Sequence, residues 1–207
     1  MTVESLKRDK GHLIRVTFKD GKDILLDVDL CVEKCIHEGD ELSGETVKEY
    51  LKESDYIRAK SRALWLLDRY TYSERRLCEK LKQAGFGEET AARVICRLKE
   101  LSVIDDLALS SRFAEDLARR GVSKREAYSK LYLKGFSADT VKAALEQTEF
   151  DEIRQIKELL EKKYKSKLLS GDTDKVYAAL IRKGFSYSAV REALKQTVSE
   201  LEFIGDM

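Results

Sequence analysis

The sequence predicts a mainly α fold of three tandem three-helix repeats in an elongated array, with a small N-terminal extension that contains a β-hairpin. Three observations predict this class. The 207 residues include no proline, so no helix interior is broken by that residue. A Gly-Phe pair recurs three times, at intervals of 50 and 49 residues. Charged residues make up 37% of the chain, above the roughly 25% of an average globular domain, which favours a shape with much surface.

Residues 1–55 are predicted to form the extension. Leu13–Phe18 is rich in β-branched residues and roughly alternates apolar with polar side chains, and Asp20-Gly21 then provides a tight turn before Ile24–Val28. This pattern is typical of a β-hairpin. Because an isolated hairpin is only marginally stable, we expect the segment to dock on the repeats, on a partner, or as a cap on the first repeat. Two short helices are predicted after it, near Asp29–His37 and Gly44–Lys52.

The repeats are predicted at residues 56–104, 105–149 and 150–198, with an acidic tail at 199–207. Each repeat begins with its longest helix. These first helices are expected near Tyr56–Arg69, Asp106–Arg120 and Asp151–Lys167. The second and third helices are short, so they need mutual packing to be stable in water.

The Gly-Phe pairs are predicted to end the second helix of each repeat. They are Gly85-Phe86, Gly135-Phe136 and Gly184-Phe185. The glycine is expected in the left-handed conformation just past the helix end, with the phenylalanine folded back on the last turn. Apolar residues recur at equal offsets around each pair, which predicts a repeated core: Leu81, Leu131 and Leu180 before it, and Ala91, Val141, Val190, Ile95, Leu145 and Leu194 after it.

The starts of the second helices carry capping residues. The S/T-x-x-E pattern occurs at Thr71 and at Ser123, and Asp172 supplies a capping side chain at the corresponding place in the third repeat. Trp65 is predicted to lie in the core, with a stacking or binding role as the alternative. Cys78 and Cys96 are also predicted at core positions of helices.

No catalytic residues are predicted, and the chain is not expected to be an enzyme. The two histidines, His12 and His37, both lie outside the repeats, and no phosphate-binding loop is present. Cys31, Cys35 and His37 could offer three soft ligands, but a structural zinc site normally needs four, so we expect free cysteines and no metal. Neither a signal peptide nor an apolar run of membrane-spanning length is found. A cytoplasmic monomer without a cofactor is therefore expected.

The near-neutral net charge of +1 conceals an uneven distribution. Residues 1–55 carry a net charge of −5, residues 56–198 carry +9, and the last nine residues carry −3. A basic body between acidic ends suggests contact with a polyanion or with an acidic partner. The alternative is an ordinary solvated helix surface. The candidate partner- or DNA-binding residues are Arg58, Arg62, Arg69, Arg75, Arg76, Arg119, Arg120, Lys124 and Arg125.

These features resemble the RecX family of bacterial recombination regulators over about Tyr56 to Thr197. The strongest segment reads ALWLLDRYTYSE from Ala63 to Glu74, and it continues through Leu81 and the first Gly-Phe pair. The Ile104-Asp105-Asp106 junction matches as well. Two departures occur, at Ser110-Ser111-Arg112, where the family tends to be bulkier, and at Ala84, where the family often has a lysine.

The resemblance implies a specific partner. Family members form curved arrays of three-helix repeats that lodge in the groove of the RecA recombinase filament. They usually inhibit its ATP hydrolysis and strand exchange, and so act in homologous recombination, DNA repair and the SOS response. Contact with DNA also occurs in the family. The resemblance thus implies a regulator of the RecA filament. The alternative is a helical repeat protein that acts mainly by binding single- or double-stranded DNA directly.

Overall fold

A computed structural model describes residues 1–205 of the chain, with side chains described for residues 1–199. The chain divides into two compact units, Met1–Ile104 and Asp105–Met207. The predicted fold class is confirmed, because helices dominate both units and the β structure is confined to a small antiparallel sheet at the N-terminus.

The first unit contains three strands followed by four helices. They are β1 Val3–Arg8, β2 Leu13–Phe18, β3 Asp23–Asp27, α1 Val28–Glu33, α2 Gly44–Arg69, α3 Glu74–Gln83 and α4 Glu88–Glu100. The strands lie in the order β1-β2-β3, and both neighbouring pairs are antiparallel.

The predicted hairpin is confirmed as β2 and β3, in which Val16 faces Ile24. The strand β1 was not predicted. Its pairing with β2 shifts register between Val3 and Ser5, and such a bulge interrupts the alternation by which a strand is recognised in a sequence. Val3 is nonetheless buried in the core beneath the sheet.

One 26-residue helix, α2, replaces the two predicted helices at Gly44–Lys52 and Tyr56–Arg69. Its N-terminal part contributes Val47 to the core of the sheet, and its C-terminal part contributes Leu66 to the core formed with α3 and α4. The buried Ser54 Oγ accepts a hydrogen bond from the Asp27 N–H at 2.8 Å. The sheet therefore docks on the first repeat through a helix that both cores share.

Up to Gly205, the regular secondary structure of the second unit consists of helices. Its elements are α5 Asp106–Arg119, α6 Lys124–Leu133, α7 Ala138–Gln147, α8 Glu152–Leu159, a π-helical segment Leu160–Tyr164, α9 Lys165–Leu169, α10 Thr173–Arg182 and α11 Tyr187–Gly205. Two cores form, one around α5 to α7 and one around α8 to α11. The predicted tail at 199–207 overlaps α11, and the side chains of its acidic residues, Glu200, Glu202 and Asp206, lie outside the described residues.

The Gly-Phe pairs close α3, α6 and α10. Gly85, Gly135 and Gly184 have φ values of +95°, +95° and +90°. The backbone N–H after the first and third of these glycines donates to the carbonyl of Leu81 or Leu180, five residues earlier, which is the bond that closes a Schellman-type helix end. The apolar residues at equal offsets from the three Gly-Phe pairs are all buried, as predicted. They are Leu81, Leu131, Leu180, Ala91, Val141, Val190, Ile95, Leu145 and Leu194.

Several details of the sequence prediction were wrong, among them the cap at Asp172, which begins α10 without a side-chain capping hydrogen bond. The cap of α3 is Ser73, whose Oγ accepts from the Arg76 N–H, and not Thr71. Cys96 is exposed, whereas Cys78 is half-buried. The helix α1 ends at Glu33, well before the predicted His37, because Cys35 takes a positive φ of +49° that a helix cannot continue.

Candidate binding surfaces

The five candidate arginines of the first unit lie on two helices. Arg58, Arg62 and Arg69 are on α2, and Arg75 and Arg76 are in the first turn of α3. Arg58 is the least accessible of them: it pairs with Asp55 at 3.2 Å and lies over the ring of Phe86. The others are exposed.

Trp65 is not a core residue, contrary to the sequence prediction. It is 44% exposed, and the neighbouring Leu64 is 42% exposed. The guanidinium carbons of Arg62 and Arg69 lie 4.4 Å and 4.2 Å from the centroid of its ring. The helix therefore presents an aromatic ring flanked by two cations, which is the composition that protein interfaces favour at their centres.

Arg75 and Arg76 share one acidic partner on α3. Arg75 Nε lies 3.1 Å from Glu79 Oε1, and Arg76 Nη1 lies 2.9 Å from Glu79 Oε2. The hydrogen bond from Arg76, followed by that from Arg75, lowers the pKa of Glu79 below its ordinary value. The carboxylate is ionised at neutral pH, so these two arginines are less available to an external anion than Arg62.

The four candidate residues of the second unit lie where α5 ends and α6 begins. Arg119 is exposed, and Arg120 pairs with Asp116 at 2.9 Å. Lys124 and Arg125 lie in the first turn of α6 and line an open cleft of about 610 Å³. The structure thus separates the four residues into an exposed helix end and a cleft wall.

The cleft of the second unit contains a third cation, Lys142, that the sequence analysis did not single out. Tyr128 also lines it, and its ring stacks on that of Tyr132 with an interplanar angle of 5°. Of the two glutamates in the wall, Glu152 is already engaged, since it accepts from the Ser186 N–H and Oγ. The cleft therefore combines three cations with an aromatic wall.

The predicted absence of a zinc site at Cys31, Cys35 and His37 stays a prediction. Burial, followed by the charge of Asp27, raises the pKa of the Cys31 thiol, which disfavours the thiolate that zinc requires. Within residues 1–199, the side chains close enough to share a metal ion are His12, Asp27 and Asp29. The Asp27 carboxylate there caps α1 by accepting from the Asp29 N–H. Its position thus has a structural explanation.

None of the helices described, up to Gly205, combines the length and the apolar character needed to cross a bilayer.

The chain is similar in sequence to curated regulatory proteins. The family model of the first three-helix domain of RecX matches residues 59–98, which run from α2 to α4. A regulatory protein RecX of Caldanaerobacter subterraneus is 29% identical over 164 residues, which cover 78% of this chain and 83% of the relative. A regulatory protein RecX of Clostridium tetani is 28% identical over 174 residues, which cover 84% of this chain and 79% of the relative.

Two solved structures share the fold. A crystal structure of a regulatory protein RecX superposes with a TM-score of 0.72, at 20% identity, over 94% of this chain and 98% of that one. The crystal structure of RecX from Lactobacillus salivarius superposes with a TM-score of 0.63, at 19% identity, over 70% of this chain and 97% of that one. In sequence and in fold, the resemblance of this chain to the regulatory proteins of the RecX family is confirmed.

Proposed function

We propose that this chain is a cytoplasmic regulator that binds the RecA recombinase filament and inhibits its ATP hydrolysis and strand exchange in DNA repair and homologous recombination. The observation that carries the proposal is the surface of the matched three-helix domain. Residues 59–98 expose Trp65 between Arg62 and Arg69, which equips this domain for binding another macromolecule.

The two-unit construction supports action by stoichiometric binding. Each unit exposes cations of its own, on α2 and α3 in the first and around the start of α6 in the second. A filament offers the same binding site many times. Two modest sites in one chain can then raise the overall affinity without a single strong contact.

The test is a titration of the chain into cognate recombinase on single-stranded DNA, with ATP hydrolysis as the readout. We expect hydrolysis to fall and to level off at a fixed ratio of chain to recombinase. Unchanged hydrolysis at a stoichiometric amount of the chain would overturn the proposal.

Charge reversal then tests the surface. We expect the double variant Arg62→Glu with Arg69→Glu to inhibit much less than the original chain. The matched control reverses Lys19 and Lys22, two exposed lysines around the turn between β2 and β3, and changes net charge equally. Equal losses in both variants would mean that only the total charge of the chain matters.

Direct DNA binding is the second candidate, and the cleft of the second unit favours it. Lys124, Arg125 and Lys142 can neutralise phosphates, and the stacked pair Tyr128 and Tyr132 can contact a base. On this hypothesis, replacing Lys124 and Lys142 with glutamine reduces the salt dependence of single-stranded DNA binding by about 0.7 per lost phosphate contact. An unchanged slope would exclude the cleft as the DNA site.

A further inference from the structure

Trp65 forms the centre of an exposed patch on α2 that the core of the first unit does not use. The buried residues of this stretch are Ala59, Ala63 and Leu66, and their three- to four-residue spacing marks the inner face of the helix. Leu64 and Trp65 lie outside that face, each more than 40% exposed. These two adjacent apolar side chains give the patch a centre that a partner could cover.

The two arginines beside Trp65 hold the ring in place. Arg62 and Arg69 are seven residues apart, which separates their backbone positions by about 10 Å along the helix. Arg62 precedes Trp65 on the helix and Arg69 follows it. Both guanidinium carbons lie within 4.4 Å of the centroid of the indole ring. Such cation–π contacts restrain the side chain before any partner arrives, which lowers the entropic cost of binding.

The guanidinium groups keep hydrogen-bonding capacity while they lie against the ring. In residues 1–199, no carboxylate lies within ion-pair distance of Arg62, and Arg69 has only a long contact of 3.9 Å to the adjacent Asp68. A guanidinium has five N–H donors at its edge. Contact with the ring through the guanidinium carbon therefore does not use up the donors that a partner's carboxylates can accept from.

We propose that Leu64, Trp65, Arg62 and Arg69 form a docking patch for a protein surface on which carboxylates border an apolar pocket. The inference rests on the proposed function, in which the protein surface belongs to the recombinase. Charge complementarity selects this occupant, since the apolar centre lies between two cations. A nucleic-acid base is disfavoured because two guanidinium groups already lie within 4.4 Å of the ring centroid and would compete with it for the ring.

The docking patch predicts how much the loss of Trp65 weakens binding to the recombinase. Truncation of a tryptophan that is buried at the centre of an interface commonly weakens binding about 30-fold. We therefore expect Trp65→Ala to raise the concentration needed for half-inhibition of recombinase ATP hydrolysis by about that factor. The matched control is Val32→Ala, an apolar truncation at a side chain that is 69% exposed on α1, which is expected to leave inhibition unchanged.

The single tryptophan of the chain permits a direct measurement. Biosynthetic 5-fluorotryptophan gives one fluorine resonance, which reports on Trp65 alone. We expect this resonance to shift and broaden with recombinase filament, and to stay in place with the same single-stranded DNA without recombinase. Acrylamide quenching of the indole fluorescence in the unlabelled chain, measured with a tryptophan-free recombinase, gives a second reading. We expect protection from quenching only in the complex with the recombinase.

Each outcome decides between the two proposals. If the original chain does not inhibit the recombinase at all, the proposed function fails. If the chain inhibits, but Trp65→Ala inhibits equally and the fluorine resonance does not respond, the docking patch is overturned and the proposed function stands. A resonance that shifts with naked DNA, or with the concentration of the chain alone, overturns the patch in favour of a base or of a second copy of the chain.

Discussion

Glu79 restrains two of the candidate arginines, so its removal is expected to strengthen binding. Both Arg75 and Arg76 contact its carboxylate, and an exposed ion pair of this kind is weak enough for a partner to compete with it. We expect Glu79→Gln to increase affinity for an anionic partner about two- to fivefold. The measurement is half-inhibition of recombinase ATP hydrolysis.

The matched control for this prediction is Glu100→Gln on α4. Glu100 pairs with Arg97 at 2.9 Å, an arginine outside the candidate set, and the hydrogen bond from Arg97 likewise lowers the pKa of Glu100. Both variants change net charge equally. If the two raise affinity by the same factor, Arg75 and Arg76 have no special part in binding.

The lowered pKa of Glu79 also sets the pH range of this restraint. Its folded-state pKa lies below the ordinary value of 4.5, so the ion pair stabilises the fold above that pH and is lost as pH falls through the folded-state pKa. Near neutral pH the restraint is therefore constant. We expect the ratio of affinities between Glu79→Gln and the original chain to be the same at pH 6 and at pH 8.

Single residues show most clearly what a sequence can predict. The leucines that precede the Gly-Phe pairs could be placed in the core because three copies supplied the same offset. Trp65 was wrongly placed in the core, because it lies in the unbroken apolar run Leu64–Leu67. A helix cannot turn four consecutive side chains inwards, and only the neighbours packed around α2 decide which of them face solvent.

At the scale of helix ends, Gly184 is expected to tolerate a side chain less well than Gly85. Both have φ near +90°, which costs an alanine about 1–2 kcal/mol. A Cβ on Gly85 would meet open space, whereas one on Gly184 would lie 2.9 Å from Ser123 Oγ and 3.0 Å from Arg125 Cβ. Relieving that overlap is expected to add about 1–3 kcal/mol.

Urea denaturation of Gly85→Ala and Gly184→Ala checks this difference. Ser123 has little freedom to move aside, because its Oγ donates to the Lys183 carbonyl at 2.6 Å and accepts from the Glu126 N–H. The larger loss of stability is therefore expected for Gly184→Ala. Equal losses of stability in the two variants would mean that the residues at the start of α6 move aside without a cost in free energy.

One buried hydroxyl joins the sheet to α2 in addition to the apolar core that they share. Ser54 is 1% exposed, and Ser54→Ala would leave the Asp27 N–H without its acceptor. A buried donor left unsatisfied costs about 1–3 kcal/mol. We expect this loss in urea denaturation, together with faster hydrogen exchange at the Asp27 amide. The control Ser61→Ala changes an exposed serine of the same helix and is expected to be nearly neutral.

Whole elements were predictable wherever a local signal exists. The hairpin of β2 and β3 followed from its turn, and α10 followed from the third Gly-Phe pair. The length of α2 could not be predicted, because nothing in residues 53–55 distinguishes a continuing helix from a polar linker. The helix continues through these residues because Ser54 is buried against β3. This burial is a tertiary contact, which no local sequence pattern encodes.

At the scale of the whole chain, the two compact units predict a loss of affinity when they are separated. The fragments Met1–Ile104 and Asp105–Met207 each retain their own apolar cores, so we expect both to be helical by circular dichroism. If both units bind the recombinase filament, linkage raises the overall affinity by about 100-fold or more. Each fragment, and their equimolar mixture, is then expected to inhibit ATP hydrolysis at least that much less strongly than the intact chain. Full potency in the fragment Met1–Ile104 would instead assign the interaction to the first unit alone.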